Sequence, residues 1–336
     1  METIGVICPS EIAYRRFMPS LCKCPALFGY AGVACADECE WHGGKPSEAL
    51  LEDERRKAAK FEAAYGGAVF DSYAALLDSD ADCIYLPLPP ALHYQWGKAA
   101  LERGKHVLFE KPFTTSLQDT RELIALARAR GLAVHENYMF QYHSQIGWVQ
   151  NEIEKKAVGD LRLIRIDFGF PFRGAGDFRY SKGMGGGALL DCGGYTVKLA
   201  SLLLGKSARL ACAFLNSTAG FDVDIYGNAA MVNDAGLAAQ LSFGMDNHYR
   251  CNMDIWGSKG SIFTDRILTA PDGFEPAFKI STESGITERK LPPDDAFKKS
   301  IEFFHSCIAQ RQCREESYCS IIRQAEIIED FRGWAA

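Results

Sequence analysis

The feature that most constrains this chain is the regular alternation of short apolar runs and helical segments over its first 140 residues. Six runs have the composition of buried parallel strands, and segments with helical spacing or capping signals lie between them. The predicted strands are 4–7, 29–35, 68–70, 83–86, 107–109 and 133–137. The predicted helices are 12–24, 57–65, 72–77, 94–103 and 116–131. This pattern predicts an α/β domain with a parallel sheet and helices on both faces, with or without a bound cofactor.

The second half of the chain has a different pattern. Leu161–Phe170 alternates apolar and polar side chains as a half-buried strand does. Consecutive strands joined by short polar turns then indicate an antiparallel sheet. The strands are predicted at 209–215, 221–232, 237–245 and 249–256, and helices at 145–156, 188–204, 296–308 and 318–331. We therefore predict a parallel-sheet domain over 1–139 and an α+β domain over 140–336, whose C-terminal helix could pack back on the first domain.

Composition and charge exclude several classes of function. The net charge is −6, from 37 Lys and Arg against 43 Asp and Glu, and no basic stripe of the kind that binds nucleic acid is visible. The stretch closest to a membrane span, 188–205, contains Asp191 and Lys198, so no contact with a membrane is predicted. The twelve cysteines form no CxxC pair and no secretory signal is visible, so we expect reduced cysteines and a cytoplasmic location.

The turn after the first predicted strand is the place where a dinucleotide domain binds pyrophosphate. The expected pattern is G-x-G-x-x-G/A, in which backbone N–H groups at a helix N-terminus meet the phosphates. This chain has Cys8, Pro9, Ser10, Glu11, Ile12 and Ala13, and only Ala13 fits the pattern. Small side chains at Cys8 and Ser10 still allow close approach, and the Ser10 hydroxyl can bond a phosphate oxygen. A plain strand-turn-helix explains this segment equally well.

The end of the second predicted strand decides between the two nicotinamide cofactors. An acidic residue here bonds the ribose hydroxyls of NAD. Asp37 is the candidate, which gives a slight preference for NAD. Lys45, Arg55 and Arg56 lie further on and are candidates for the 2′-phosphate of NADP. Alternatively, Asp37 and Glu38 only begin a solvated loop.

Polar residues occur in two further segments that predict chemistry. Glu110 and Lys111 follow a strand, and ligands of open parallel sheets bind at the carboxyl edge. Asp191 and Tyr195 lie four residues apart on the apolar helix, so they share one face, and Lys198 lies near that face. Buried polar groups of this kind either line a functional cavity or form a satisfied core network.

The chain resembles the family of glucose-fructose oxidoreductase, inositol dehydrogenase and MocA, which are NAD(P)-dependent sugar oxidoreductases. The motifs that carry the resemblance extend over nearly the whole chain in order: Tyr85–Pro89 with His93, Glu110–Pro112, Glu136–Phe140, Phe178–Tyr180, Gly185–Asp191 and Tyr195. The non-glycine first turn, followed by Ile12–Arg16, looks like the nucleotide-sugar 3-ketoreductase branch. The resemblance implies a Rossmann-type N-terminal domain, a large open C-terminal sheet, and a homodimer or homotetramer.

The resemblance also implies a set of site residues. The catalytic residues are Lys111, between nicotinamide and substrate, Tyr195 as the proton donor, and Asp191, which orients one or both. The cofactor, NAD or NADP, is expected to contact Cys8, Ser10, Glu11, Ile12, Asp37, Leu86, Pro87, Leu88, His93, Glu110, Lys111 and Asn137. The substrate is expected to contact Gln141, Arg179 and Tyr195, although Arg179 can alternatively pair with Asp177. No metal is expected, because His135, His143 and His248 lack metal-ligand spacing.

The implied function is hydride transfer between a nicotinamide and a hydroxyl or keto carbon of a sugar, sugar derivative or cyclitol. Two alternatives remain open. An NAD-recycling glycosidase on the same fold oxidises its substrate only transiently. A dinucleotide-sensing regulator binds the cofactor without turnover, although such a protein has no need of Lys111, Asp191 and Tyr195.

Overall fold

The computed structural model describes residues 1–41 and 45–335, and it divides into two compact units. The first contains Met1–Asn137 and Phe297–Ile322, and the second contains Tyr138–Ala296 and the chain from Arg323 onward. The sequence-based division falls after residue 139 and leaves Phe297–Ile322 in the second domain, whereas the structure groups this segment with the first unit. The physical reason is burial: Tyr318 is fully buried in the first unit's core, and its hydroxyl donates to the Leu132 carbonyl.

The first unit is built on a six-stranded sheet in which all strands are parallel. Its order is β3-β2-β1-β4-β5-β6, the doubly wound order of a Rossmann fold. The strands are β1 (Glu2–Val6), β2 (Phe28–Ala34), β3 (Ala68–Phe70), β4 (Cys83–Leu86), β5 (His106–Phe109) and β6 (Val134–Glu136). Every residue of β4 is buried, as expected for a strand covered on both faces. The predicted parallel α/β fold is confirmed.

Helices cover this sheet, and the ends of α2, α3 and α5 follow local capping chemistry. The helices are α1 (Met18–Leu21), preceded by a π-helical turn at Ala13–Phe17, α2 (Glu48–Tyr65), α3 (Tyr73–Leu77), α4 (His93–Glu102), α5 (Leu117–Arg130), α8 (Ala296–Ala309) and α9 (Arg311–Ala335), which belongs to the first unit as far as Ile322. The predicted caps of α5 are confirmed: the Ser116 hydroxyl accepts the Asp119 N–H at 3.1 Å, and Gly131 has a φ of +68°. The predicted start of α2 at residue 57 is wrong. Its first turns are charged and solvated, but the Ser47 hydroxyl caps them by accepting the Leu50 N–H.

The second unit contains an eight-stranded sheet of order β14-β13-β12-β11-β7-β10-β9-β8. The strands are β7 (Leu161–Gly169), β8 (Arg209–Asn216), β9 (Tyr226–Val232), β10 (Ala238–Gly244), β11 (Arg250–Gly257), β12 (Gly260–Thr264), β13 (Ala277–Thr282) and β14 (Gly285–Lys290). Only the β7–β10 pairing is parallel among the strands of the described residues, so the predicted mostly antiparallel sheet is confirmed.

Two details of this sheet differ from prediction. β9 begins at Tyr226 rather than at residue 221, because Asp224 is held by main-chain contacts at the start of a helix. The strands β12–β14 are absent from the prediction. All six residues of β14 are exposed, so this edge strand has no apolar face that periodicity could detect.

The helices of the second unit are α6 (Ser144–Glu154) and α7 (Gly194–Leu204), with a π-helical turn at Leu189–Gly193 directly before α7. The segment Lys182–Leu204 is long and apolar enough to cross a membrane by length and composition alone. However, 78% of its apolar window is buried inside the protein, as in the core helix of a globular domain.

Candidate active site

The turn after β1 is stabilised by main-chain contacts and by Ser10. The Ser10 N–H donates to the Cys8 carbonyl at 2.7 Å, and the Ser10 hydroxyl accepts the Ala13 N–H at 3.3 Å. Ser10 therefore caps the helix, whose first-turn N–H groups have no acceptor within the helix itself. Glu11 and Ile12 are exposed at this helix N-terminus. Burial raises the pKa of the Cys8 thiol to about 12, so Cys8 is neutral.

The acidic residues after β2 are engaged in local contacts. Asp37 Oδ1 accepts the N–H groups of Cys39 at 2.7 Å and Glu40 at 2.8 Å, which is a typical Asx turn. Glu38 forms an exposed ion pair with Lys45 at 3.0 Å. Asp37 thus shapes the turn after β2, and the charge of Glu38 is balanced by a cation.

Glu54 is a buried group near this turn that the sequence pattern did not predict. Its Oε1 accepts the Ala36 N–H at 2.9 Å and lies 3.4 Å from the hydroxyl of Tyr73. Burial raises the pKa of Glu54, and the Ala36 and Tyr73 hydrogen bonds partly offset this effect. The prediction missed Glu54 because it began α2 three residues later, at Lys57. This carboxyl fixes the chain where it leaves β2.

The loop after β4 is held by His93. The imidazole is completely buried, with Nε2 at 2.7 Å from the Leu88 carbonyl oxygen and Nδ1 at 2.8 Å from that of Pro112. Burial lowers the pKa of His93. Leu86, Pro87 and Leu88 are also buried. The ring of His93 therefore lies in the core, where it joins the loop after β4 to the segment after β5.

Glu110, Lys111 and Asn137 are brought together at the carboxyl ends of β5 and β6. Glu110 Oε1 accepts hydrogen bonds from the Tyr85 hydroxyl at 2.6 Å and from Asn137 Nδ2 at 2.7 Å. Burial raises the pKa of Glu110, while these two hydrogen bonds and the charge of Lys111 lower it. Tyr85 belongs to a motif of the resemblance, but its role as a donor to Glu110 was not predicted. The peptide bond between Lys111 and Pro112 is cis.

In the second unit, Arg179 is placed against Asp191. Its Nε donates to Asp191 Oδ2 at 2.9 Å, and its Nη1 donates to Asp177 Oδ1 at 3.1 Å. Burial opposes the charge of Arg179, but the two carboxylates hold the pKa of the guanidinium above its usual value. Arg179 therefore makes the Asp177 pair that sequence analysis considered, and it also fixes the predicted catalytic carboxylate.

Asp224 caps the π-helical turn that carries Asp191. The Asp224 carboxylate accepts the Leu189 N–H at 2.6 Å, and the Asp224 carbonyl accepts the Ala188 N–H at 2.8 Å. Gly187 has a φ of +119°, and a Cβ there would lie 2.5 Å from Asp224 Oδ1. Burial raises the pKa of Asp224. Asp224 is therefore a partly buried helix cap. Turns of this π-helical type often occur at functional sites.

Tyr195 lies in a cluster of aromatic rings. The ring centroids of Tyr138, Phe168 and Phe140 are 5.1, 5.2 and 5.7 Å from its own. Only 8% of Tyr195 is exposed, so the rings fix the position of its phenol group. Lys198 is also buried, and its Nζ is 5.8 Å from the Tyr138 ring centroid.

Gln141 and the histidines complete the set of predicted positions. Gln141 Nε2 donates to the Tyr138 carbonyl at 3.1 Å, and its side chain is partly exposed. His135 is buried, and its Nε2 lies 3.1 Å from the Ser300 hydroxyl. Within residues 1–41 and 45–335, no group of three His, Cys, Asp or Glu side chains is arranged to hold a metal ion.

Comparison with known proteins connects both units to one family. Residues 31–138 match the profile of an oxidoreductase family with an NAD-binding Rossmann fold, and residues 148–263 match the GFO/IDH/MocA C-terminal domain. A dTDP-3,4-didehydro-2,6-dideoxy-alpha-D-glucose 3-reductase from Actinomadura kijaniata is 34% identical over 99% of this chain and 95% of its own length. The enzyme of the same name from Streptomyces violaceoruber is 36% identical over 98% and 94%.

A solved structure agrees with these relatives. The crystal structure of a 3-ketoreductase from Actinomadura kijaniata with NADP and TDP-benzene has a TM-score of 0.90 and 34% identity to this chain. It covers 99% of this chain and 98% of its own. The chain belongs to the Gfo/Idh/MocA family and is an NAD(P)-dependent oxidoreductase that transfers a hydride between a nicotinamide and a hydroxyl or keto carbon of a sugar derivative.

Proposed function

We propose that this protein is an NADPH-dependent ketoreductase that acts on a keto sugar linked to a nucleoside diphosphate. The observation that carries this proposal is the full-length similarity to 3-reductases of dTDP-linked keto sugars, at 34–36% identity over at least 98% of the chain. The bound TDP-benzene in the related crystal structure supports a nucleotide-linked substrate. The first unit is the cofactor domain and the second is the substrate domain.

The residues of the first unit fit a dinucleotide. Ser10 caps a helix whose first N–H groups need an external acceptor, which a pyrophosphate supplies. In this proposal the cofactor also contacts Cys8, Glu11, Ile12, the loop Leu86–Leu88, Glu110, Lys111 and Asn137. His93 supports that loop from the core. When bound, the nicotinamide supplies the hydride that no amino-acid side chain can donate.

We favour NADP over the NAD that Asp37 alone indicates. The related crystal structure contains NADP. In this chain, Asp37 Oδ1 accepts two main-chain N–H groups, and Lys45 balances Glu38. Both interactions reduce the repulsion that a 2′-phosphate would meet after β2.

Three side chains perform the proton chemistry in this proposal. The Tyr195 phenol donates a proton to the substrate oxygen as negative charge develops there. The Lys111 ammonium stabilises the same charge. Asp191, held by Arg179 at 2.9 Å, orients the substrate hydroxyl or Tyr195. Gln141 and Arg179 contribute to the surface that the sugar meets.

We also propose a cytoplasmic homodimer or homotetramer that forms through the open face of the eight-stranded sheet. The large apolar side chains Phe214, Trp256 and Phe263 are 60%, 53% and 41% exposed there. Light scattering of the protein and of a Trp256→Glu variant tests this assembly. A monomeric wild-type protein would contradict it.

The decisive experiment follows NADPH oxidation with a panel of keto sugars, each offered free and linked to thymidine diphosphate. We expect stoichiometric NADPH consumption and at least tenfold higher kcat/KM for the linked sugars, with Tyr195→Phe as the inactive control. Glycoside cleavage without net NADPH consumption would identify the glycosidase instead. Tight NADPH binding without turnover of any keto sugar would identify a sensor.

A further inference from the structure

A buried row of side-chain hydrogen bonds extends from Glu110 into the core of the first unit. Asn137 Nδ2 donates to Glu110 Oε1 at 2.7 Å, and Asn137 Oδ1 accepts from the Ser300 hydroxyl at 2.8 Å. The Ser300 oxygen lies 3.1 Å from His135 Nε2. Ser300, Asn137 and His135 are 0%, 1% and 3% exposed, so water does not replace these contacts. The row therefore couples α8 to the carboxyl end of β5.

The direction of each hydrogen bond in this row follows from proton counting. Ser300 has a single hydroxyl proton, which it donates to Asn137 Oδ1, so its oxygen can accept a proton from His135 only in the tautomer that carries hydrogen on Nε2. With this proton donated to Asn137 Oδ1, the amide of Asn137 presents nitrogen, and not oxygen, to Glu110. If the amide turned over, two oxygen acceptors would face each other in a buried setting, which is unfavourable.

Glu110 depends on this orientation. Burial raises the pKa of its carboxyl, and the hydrogen bonds from Tyr85 and Asn137 oppose this effect at the same oxygen, Oε1. The charge of Lys111 also lowers the pKa of Glu110.

We propose that Ser300 is a positioning residue for the reaction: it orients Asn137, whose amide nitrogen holds the Glu110 carboxylate beside Lys111. This inference rests on the proposed role of Lys111. Ser300 and Asn137 are 163 positions apart in the chain, and no sequence motif connects them.

The test is the pH profile of kcat/KM for NADPH-dependent reduction. In Ser300→Ala, the Asn137 amide loses its orienting donor and the pKa of Glu110 rises. The acidic limb should then move to higher pH by about half to one unit, the size that one neutral hydrogen bond produces. Tyr85→Phe removes the other donor to Oε1 and should move the same limb in the same direction.

Tyr318→Phe is the control. Tyr318 carries a fully buried hydroxyl of the first unit, which donates to the Leu132 carbonyl. Its loss costs a buried hydrogen bond without removing a donor to Asn137, so the acidic limb should stay in place. An equal shift in both variants would show a general structural effect and would overturn the proposal.

A second readout needs neither cofactor nor substrate. The infrared band of the protonated Glu110 carboxyl, assigned by its loss in Glu110→Gln, should persist to higher pH in Ser300→Ala than in the wild type. Should Ser300→Ala fail to fold, Ser300→Cys keeps the volume with a weaker donor and should show a smaller shift in the same direction. Unchanged bands and limbs in a folded variant would refute the role of Ser300.

The two proposals fail separately. Full turnover in Lys111→Ala would remove Lys111 from the mechanism and the positioning role of Ser300 with it, whereas a wild-type protein that oxidises NADPH with none of the keto sugars would overturn the proposed function. Loss of turnover in Lys111→Ala together with an unshifted Ser300→Ala profile would reject the positioning role alone.

Discussion

Arg179 donates through Nε to Oδ2 of Asp191 at 2.9 Å, which connects the short 3₁₀ helix Phe178–Tyr180 to the π-helical turn that carries Asp191. The second donor of the same guanidinium, Nη1, lies 3.1 and 3.2 Å from the two carboxylate oxygens of Asp177. One planar cation therefore holds two carboxylates, which a lysine cannot do with the same geometry. The orientation of Asp191 thus depends on a residue outside its own helix.

Arg179→Lys should lower kcat by about 10- to 100-fold, a loss of roughly 1.4–2.8 kcal/mol in transition-state stabilisation. The reason is that Asp191 loses its fixed partner while the local charge is kept. Steady-state kinetics measure the effect. Asp177→Asn is the control: it leaves the Arg179–Asp191 contact in place and should lower kcat less than Arg179→Lys does. Normal kcat in Arg179→Lys would show that Asp191 needs no such restraint.

Tyr195→Phe should lower kcat by about 100- to 10,000-fold, the usual contribution of general acid–base catalysis. The ring and its contacts with Tyr138, Phe140 and Phe168 remain, so the melting temperature and the Kd for NADPH should change little. Rapid-quench kinetics and fluorescence titration provide both measurements.

Tyr180→Phe is the matched control for Tyr195. The Tyr180 hydroxyl donates to the Met245 carbonyl at 2.7 Å, so its loss should reduce stability by about 1 kcal/mol with near-normal kcat. If Tyr195→Phe behaved like this control, its hydroxyl would be a core donor and not the catalytic acid.

Lys111→Ala should abolish most turnover, by about 100- to 1,000-fold in kcat, because the developing charge on the substrate oxygen loses its cation. Circular dichroism should show an intact fold, since Lys111 lies beyond the end of β5. Lys98→Ala, at an exposed position of α4, is the control and should leave kcat unchanged. A Lys111→Ala variant with wild-type rates would exclude this lysine from catalysis.

The cofactor preference is tested by the dissociation constants of NADPH and NADH. We expect NADPH to bind at least tenfold more tightly, about 1.4 kcal/mol. Asp37→Ala should affect both cofactors similarly, because Asp37 shapes the turn after β2 through its contacts with Cys39 and Glu40. If NADH bound tenfold more tightly than NADPH, and Asp37→Ala reduced this difference in affinity, Asp37 would instead be a ribose ligand for NAD.

His106 should make the protein less stable in acid. Its Nδ1 accepts the Ala133 N–H at 2.8 Å, and burial lowers the pKa of the imidazole to about 4. In the unfolded chain the His106 imidazole has a pKa of about 6.5, so it binds a proton at a higher pH than in the folded protein. Stability is therefore lost as the pH falls from about 6.5 towards 4. The partly exposed position limits the loss to about 1–3 kcal/mol.

Denaturant unfolding at pH 7.5 and pH 5 measures this dependence. His106→Gln removes the titrating group and should reduce the difference in unfolding free energy between the two pH values. Buried His93, whose pKa is also lowered, should still make the protein less stable in acid. An unchanged pH dependence in His106→Gln would contradict the assignment.

Local patterns predicted much of the fold and named several members of the candidate site. The alternation over the first 140 residues predicted the parallel sheet, because strands that are buried on both faces are apolar throughout, as β4 is. Ser116 and Gly131 predicted the ends of α5 because helix caps involve residues only a few positions apart. Glu110 and Lys111 could be placed at the carboxyl edge of the sheet, where ligands of such sheets bind, because both directly follow the parallel strand β5.

The remaining features needed contacts between distant parts of the chain. No local signal shows that Ser300 bonds Asn137, that Tyr85 bonds Glu110, or that Asp224 caps the turn before Asp191. The π-helical register at Leu189–Gly193 likewise has no periodic signature in the residues themselves.

The sequence by itself determined which side chains are available and which segments form strands and helices, since apolar spacing and capping act within a few residues. Only the tertiary structure decided the partners of the buried polar groups. A buried hydrogen-bond donor or acceptor without a partner is unfavourable. The protonation state and the orientation of a buried polar group therefore depend on which side chain folding brings within about 3 Å of it. Asp191 and Glu110 are both held in this way, by Arg179 and by Asn137.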